Sequence, residues 1–487
     1  MSARTWILLA GLLWAINGTS GAAGQPEADI RALSTSFKPW TGQFEDMLQR
    51  RLIRVLAPFS RSLYYNERGH ERGLSAETAR DFERYLNRKY RKDLARRPVT
   101  LLLIPTTRDK LLPNLVAGLG DIAIGNLTAT EERLAMVDFA APENGLKVKE
   151  LLLTGPGAPM IESLDDLAGK TVHTRPSSSY HASLIALSER LQAAGKPAID
   201  IVAVPDALED EDMMEMLNAG LLQAIVVDDW KAKIWAQILP DIKIHEQLVL
   251  RDAGLIGWAM RKDSPRLKAE ILEFHEKKLV SKGVTPYRIQ KMKRGVARLA
   301  DPTGEAEWKR FEATIELFRE YGGRYGFDPL MLAAQGYQES RIDQTKRSPV
   351  GAIGIMQIMP ATAKELDVGD IKKAEANIHA GAKYMHRLMT RYFQDATFSG
   401  DNRTLFAFAA YNAGPGNLRK MRRLAAERGL DPDVWFNNVE IVTAEKLGLE
   451  PVTYVRNIYK YYVSYKLTVE AHERRKRARE SLLSGGA

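Results

Sequence analysis

The hydrophobic period of this chain changes once, and that change limits what the chain can fold into. As far as Met260, short apolar runs that fit strands alternate with amphipathic helical stretches. Beyond Glu305 the apolar residues recur at helical spacing almost throughout, as in Trp308, Phe311, Ile315, Phe318 and Tyr321. A chain of 487 residues is too long for one core. The expected architecture is therefore multidomain, with a layered α/β part followed by an all-α part. Lys282-Gly283 and Thr285-Pro286 break the pattern between them, which places a linker at 281–304.

Composition narrows the compartment. Met1 to Arg4, the apolar block Trp6 to Ile16 and the small residues up to Gly24 have the layout of a secretory leader over residues 1–24, with cleavage expected near Ala22 or Ala23. That block is short for a bilayer span. The chain has no cysteine, so disulfides, thiolate metal sites and cysteine-linked lipid anchors are excluded. Its eight histidines show no ligand spacing, and no metal or other cofactor is expected. A net charge of +9 suits an anionic envelope polymer or peripheral contact with anionic lipid. A secreted chain argues against nucleic acid as the partner. The tail at 471–487 opens with the basic run AHERRKRARE and reads as a solvated helix end.

Within residues 50–280 two sets of strands and helices follow one another. Leu52 to Ala57, Val99 to Ile104 and Asp121 to Gly125 read as strands of a first lobe, with Ser75 able to cap a helix that carries Phe82, Tyr85 and Leu86. Ile199 to Val204 and Ala224 to Asp228 read as strands of a second lobe, with a helix at Glu211 to Ala219. Lys147 to Thr154 and Leu248 to Met260 carry the chain between lobes, the latter as two strands at Leu248 to Leu250 and Ile256 to Met260, leaving a cleft suited to a small ligand. The order Leu112 to Gly125, then Thr128-Ala-Thr-Glu-Glu-Arg133, then Val137 to Pro142, resembles the periplasmic solute-binding proteins of the polar amino-acid type. The resemblance implies that Arg133 holds a ligand carboxylate and Asp228 its ammonium, with Asn126, Thr128, Ser177 and Ser178 as polar lining. A guanidinium suits that task because it can bind a carboxylate through two parallel hydrogen bonds.

Residues 305–470 carry the chemistry. Glu339 lies near the end of a helix that starts at Asp328-Pro329, and Leu332, Gln335 and Gly336 share its face. A carboxyl over small and apolar groups loses hydration, so its pKa rises toward the range a general acid needs. Ser348-Pro-x-Gly-Ala-x-Gly354, Met356-Gln-x-Met-Pro360, Ala410-Tyr-Asn-Ala-Gly414 and Glu450 to Val455 follow in that order. Together these blocks resemble the goose-lysozyme-like lytic transglycosylase domain. Carried over, the resemblance makes Glu339 the single catalytic acid and places Ser348, Gln357, Met359, Tyr411 and Asn412 on the sugar site, with Glu450 beside them. Pro451-Val452 departs from the family's more usual Thr-Arg at that point. Tyr454 shares helical spacing with Ile458 and Tyr461 and reads as core packing.

Ordinary glycosidases use two carboxylates. Here the only acid close to Glu339 in sequence is Asp343, past the end of the helix. One acid suffices when the substrate supplies its own nucleophile. The resemblance implies that Glu339 protonates the oxygen between N-acetylmuramic acid and N-acetylglucosamine, and then takes the proton of the muramyl C6 hydroxyl as a 1,6-anhydro ring closes. Two α/β lobes fused to this helical domain behind a leader resemble the membrane-bound lytic murein transglycosylase F family. That family is peripheral to the outer membrane of Gram-negative bacteria, facing the periplasm. The resemblance implies glycan strands of peptidoglycan as the partner and a regulatory N-terminal module, with an amino acid or muropeptide expected as the small ligand of its cleft. The alternatives are a muramidase that hydrolyses the same bond and a solute-binding sensor anchored to the wall without catalysis.

Overall fold

The structure is a computed structural model that describes residues 38–95, 97–142, 147–278 and 304–484. The leader expected at 1–24 and nearly all of the linker expected at 281–304 fall outside those residues.

Eleven strands are described: β1 (Leu52–Ala57), β2 (Tyr65–Glu67), β3 (His70–Arg72), β4 (Thr100–Pro105), β5 (Ile122–Thr128), β6 (Asp138–Ala140), β7 (Lys147–Thr154), β8 (Thr171–Thr174), β9 (Asp200–Ala203), β10 (Ala224–Asp228) and β11 (Lys243–Met260). In the first lobe β4, β1 and β5 run parallel, and the end of β11 pairs antiparallel with β5 and β6. In the second lobe the start of β11 pairs antiparallel with β7, followed by β10, β8 and β9. The two crossing strands expected around Leu248 and Ile256 are thus one strand shared by both lobes. Register shifts between His245 and Gly254 let it turn from one sheet into the other.

Apolar residues explain the layers. Every residue of β10 is buried, as a strand covered on both faces requires. In the first lobe Phe82, from the helix Leu74–Lys89, packs its ring 5.5 Å from Trp258 and 5.1 Å from Phe274. Ser75 does not cap that helix, because the chain enters it two residues earlier, with Gly73 as the cap. Gly73 has φ +103°, and a Cβ there would fall 2.4 Å from the Leu63 carbonyl oxygen.

The C-terminal part is helical: Glu305–Tyr325, Pro329–Ser340, Pro360–Leu366, Ala374–Tyr392, Asn402–Ala413, Pro415–Glu427, Glu440–Leu447 and Leu449–Ser484. Asp328 caps the second of these by accepting from the amides of Leu330 and Met331 at 2.7 and 3.2 Å, with Pro329 at the first position. The last helix continues through the basic run, where His472, Arg474, Lys476 and Arg477 are exposed. Among the described residues no helix is long and apolar enough to cross a membrane.

The two parts are packed together. Phe59 of the first lobe forms one apolar cluster with Ile441, Ala444 and Val452 of the helical part. The Arg68 amide also donates to the Ala444 carbonyl at 3.2 Å.

Arg54 and Asp121 are fully buried and paired at 2.9 Å beneath the first lobe's sheet, and Asp121 also accepts from the Arg54 amide at 2.8 Å. Asp121→Asn would leave the Arg54 guanidinium buried without that charge. Urea unfolding should then show a loss of about 3 kcal/mol.

Candidate functional site

Glu339 sits one residue from the end of the helix Pro329–Ser340, which stops as Arg341 and Ile342 adopt φ +59° and +54°. A β-branched residue seldom takes that conformation. Here Ser340 holds the turn in place: its hydroxyl donates to the Ile355 carbonyl at 2.9 Å and accepts from the Asp343 amide at 3.0 Å. The helix end and the loop over it are therefore tied at the residue next to the acid.

That loop is built on Asn377, a fully buried side chain of the helix Ala374–Tyr392. It accepts from the Met356 amide at 2.8 Å and donates to the Ile353 and Ile371 carbonyls at 2.8 and 3.0 Å. Gly354 must lack a side chain, since a Cβ at its φ of +75° would lie 2.5 Å from Gln344 and 2.6 Å from Asn377. Gln357 also takes a left-handed conformation, and its side chain donates to the Gly354 carbonyl at 2.8 Å. Met359 and Val350 stay exposed on the loop although both are apolar. Ser348 accepts from the Ala352 amide at 2.9 Å.

Tyr411 and Tyr454 complete the surroundings of the acid. The Tyr411 hydroxyl donates to the Met356 carbonyl at 2.6 Å. The Tyr454 hydroxyl donates to Glu339 Oε1 at 2.5 Å and accepts from Gln335 at 3.4 Å. Tyr454 does pack in the core as expected, but its hydroxyl reaches the acid. Helical spacing showed which face it occupies; the position of that face opposite Glu339 depends on how two helices remote in sequence pack. Asn377 was missed for a similar reason, because a single Asn inside an amphipathic helix carries no local signal.

Burial pushes the Glu339 carboxyl up to about 7, and the Tyr454 hydrogen bond opposes that rise. Asp343 is lowered by the Thr345 hydroxyl and amide, so its carboxylate serves the turn. Asn412 donates to Glu450 at 3.1 Å, while its own Oδ1 is buried without a partner among the described residues.

The other sequence-predicted residues meet between the two lobes. A recess of about 360 Å³, partly open to solvent, is lined by Asn126, Thr128, Arg133, Ser177 and Ser178, together with Arg108, Arg175 and Lys231. Arg133 donates to the carbonyls of Thr128 and Ser177 at 3.0 and 2.9 Å, bridging the lobes. The Ser177 hydroxyl donates to Asp206, and the Ser178 hydroxyl caps the helix Ser179–Ala193. Asp228 lies behind the lining and accepts from the Asn126 side-chain amide, and its Oδ1 is buried without a partner among the described residues. Burial raises its carboxyl to about 6. Arg108, Arg175 and Lys231 are engaged by Glu209 and Asp210. Among the described residues no cluster of acidic, His or Cys side chains could hold a metal ion.

Comparison with known proteins agrees with this division. Residues 54–281 match the bacterial extracellular solute-binding proteins, family 3, and residues 316–433 match the transglycosylase SLT domain. A membrane-bound lytic murein transglycosylase F of Desulfosudis oleivorans is 30% identical over 376 residues, covering 73% of this chain and 79% of that protein. One from Ectopseudomonas mendocina is 27% identical over 437 residues, covering 84% and 83%. Among solved structures, an amino acid ABC transporter substrate-binding protein from Streptococcus pneumoniae bound to L-arginine covers 52% of this chain and 98% of that chain, at 22% identity and a TM-score of 0.42.

A carboxyl whose folded pKa is raised binds its proton more tightly in the folded state. Folding stability is then lost as pH rises from the ordinary value of 4.5 through about 7. Glu339→Gln removes that liability. Its thermal midpoint should match the wild type at pH 4.5 and exceed it at pH 8.5, where the gain is at most about 3 kcal/mol.

Proposed function

The chain belongs to the membrane-bound lytic murein transglycosylase F family, and from that premise we infer that it cleaves the β-1,4 bond between N-acetylmuramic acid and N-acetylglucosamine in peptidoglycan, forming the 1,6-anhydro end. The observation that carries the assignment to a residue is the position of Glu339: a partly buried carboxyl raised to about 7 and held through Oε1 by Tyr454. Near neutral pH such a group is protonated often enough to act as an acid, yet remains basic enough to take a proton back.

Oε2 is the oxygen left for the substrate. It protonates the glycosidic oxygen as the bond to the muramyl carbon breaks, and the leaving N-acetylglucosamine departs with that proton. The carboxylate then takes the proton of the C6 hydroxyl as that oxygen bonds to the same carbon. No water is consumed, and Glu339 ends protonated as it began. The absence of a charged side chain from the causes of its shift suits a site with one working carboxyl. The buried, unpartnered Asn412 Oδ1 suits an acceptor for an amide hydrogen of the substrate. Exposed Met359 and Val350 offer an apolar rim to a sugar ring, while Tyr411, Gln357 and Ser348 act mainly by holding the loop. Glu450 orients Asn412.

In the recess between the lobes, Arg133 and Asp228 are suited to an α-amino acid head group, either free or at the end of a muropeptide stem. Asp228 needs a donor for Oδ1, and a bound ammonium would supply one while stabilising the carboxylate. A periplasmic location at the membrane surface fits the family and the +9 charge.

Mass analysis of digested peptidoglycan tests the reaction. Wild type should release anhydro-muramyl fragments, and Glu339→Gln should lower the rate by at least about 10³-fold, as loss of an acid that serves both steps implies. Reducing ends would mean hydrolysis, and cleavage by Glu339→Gln would remove the assignment. For the recess, calorimetric titration of full-length protein with amino acids and muropeptides should give binding that Arg133→Met weakens at least about tenfold.

A further inference from the structure

The second lobe contains a helix, Asp210–Asn218, whose nine residues are all buried although four of them are acids. Its charges point to different neighbours. Asp210, with Glu209 before it, engages the cations of the ligand recess. Glu211 accepts from the Ser60 hydroxyl at 2.7 Å. Asp212 and Glu215 meet the last helix of the other domain: Lys460 Nζ lies 2.7 Å from Asp212 Oδ1 and 2.7 Å from Glu215 Oε2. Arg456 donates to Asp212 at 3.2 Å and to the Ala207 carbonyl at 3.0 Å. Its remaining nitrogens hold Glu440 at 2.5 and 3.1 Å. Arg61 shares Asp212 and Glu215 at 3.4 and 2.8 Å. Apart from Arg61, none of these charged side chains is more than 8% exposed.

Ion pairs this dry add little net stability, since desolvation offsets their attraction, but their geometry is strict. The geometry they fix is that of the helix beginning at Leu449. At about 100° per residue, Arg456 and Lys460 stand about 200° and 240° around the helix from Tyr454, on the opposite face. One face is clamped to the neighbouring domain while the other delivers a hydroxyl to Glu339. The apolar cluster of Phe59, Ile441, Ala444 and Val452 brings the domains together without direction, so it cannot set that rotation by itself.

We propose that Asp212, in the α/β domain, is a positioning residue for glycan cleavage: through Arg456 and Lys460 it fixes the rotation of the last helix that holds the Tyr454 hydroxyl on Glu339. The proposal rests on Glu339 being the acid. The titratable groups facing that carboxyl are Tyr454 from the last helix and Tyr411 from Asn402–Ala413, and the charge of Glu339 influences both. The Tyr454 bond favours the carboxylate, so its loss lets burial carry the acid further upward.

The test is the pH profile of anhydro-fragment release by full-length wild type, Asp212→Asn, Tyr454→Phe and the Asp212→Asn/Tyr454→Phe double variant. In each single variant the limb on which rate falls with rising pH should move to higher pH. Asp212→Asn should also lower kcat about tenfold, as a small misplacement of a catalytic contact does, and leave KM within about twofold. The double variant should keep the limb of Tyr454→Phe alone, because both changes remove one hydrogen bond. Should Asp212→Asn not fold, Lys460→Met, which keeps the apolar stem, carries the same test with a smaller shift in the same direction. A folded Asp212→Asn or Lys460→Met protein with the wild-type limb and kcat would overturn the proposal, as would limb shifts that add in the double variant. Glu339→Gln run alongside separates the two readings. If it still cleaves, the acid is misassigned and both fall; if it is inactive while the Asp212 profile is unchanged, only the positioning role falls.

Discussion

On one fully buried helix Asp210, Asp212 and Glu215, with Glu209 just before it, are met by cations and Glu211 by the Ser60 hydroxyl, because an unpaired buried charge costs several kcal/mol. Those cations come from far apart in the chain. Arg61 follows β1, Arg108 and Arg175 border the ligand recess, Lys231 follows β10, and Arg456 and Lys460 belong to the last helix. The helix Asp210–Asn218 can be dry only when both lobes and the helical domain are in place around it. Its requirement for counter-charges therefore accounts for a two-domain chain that packs as one body, and it ties the recess and the catalytic domain to the same short element.

The proposed catalytic acid has the opposite requirement. Among the described residues no cation offsets the burial of Glu339, so its carboxyl is raised to about 7, and a neutral donor, Tyr454, limits the rise. A paired carboxylate would be a poor acid, whereas an unopposed one would be a poor base. The loop across from it is held by Asn377, Ser340 and the bare backbone of Gly354, so that a fixed surface faces the acid. Rigid support of this kind is what a reaction with one carboxyl and no external nucleophile needs, since orientation of the substrate's own hydroxyl replaces a second catalytic group.

The recess between the lobes uses both strategies. Its Arg108, Arg175 and Lys231 are paired with Glu209 and Asp210, while Arg133 bridges the lobes through backbone carbonyls and Asp228 keeps one oxygen without a partner among the described residues. Closure of the lobes is thus partly pre-organised by Arg133, which holds a carbonyl of each lobe.

The switch of hydrophobic period near residue 280, the strand Ala224–Asp228, the helix near Glu211 and the Asp328-Pro329 start of the catalytic helix could all be read locally, because period, caps and breakers act over a few residues. The motif blocks singled out Glu339 and its loop by type and order. The hairpin of β2 and β3 was too short to leave a pattern, and β11 was read as two strands because its register shifts interrupt the alternation. The sequence by itself determined the two architectures, the candidate acid and, of the recess lining, Asn126, Thr128, Arg133, Ser177 and Ser178. Only the tertiary structure decided that the Tyr454 hydroxyl meets Glu339, that Asn377 holds the loop and that Asp212 grips the helix bearing Tyr454. Each of those contacts joins residues on elements remote in sequence, so its existence depends on how helices dock, and no local periodicity encodes that.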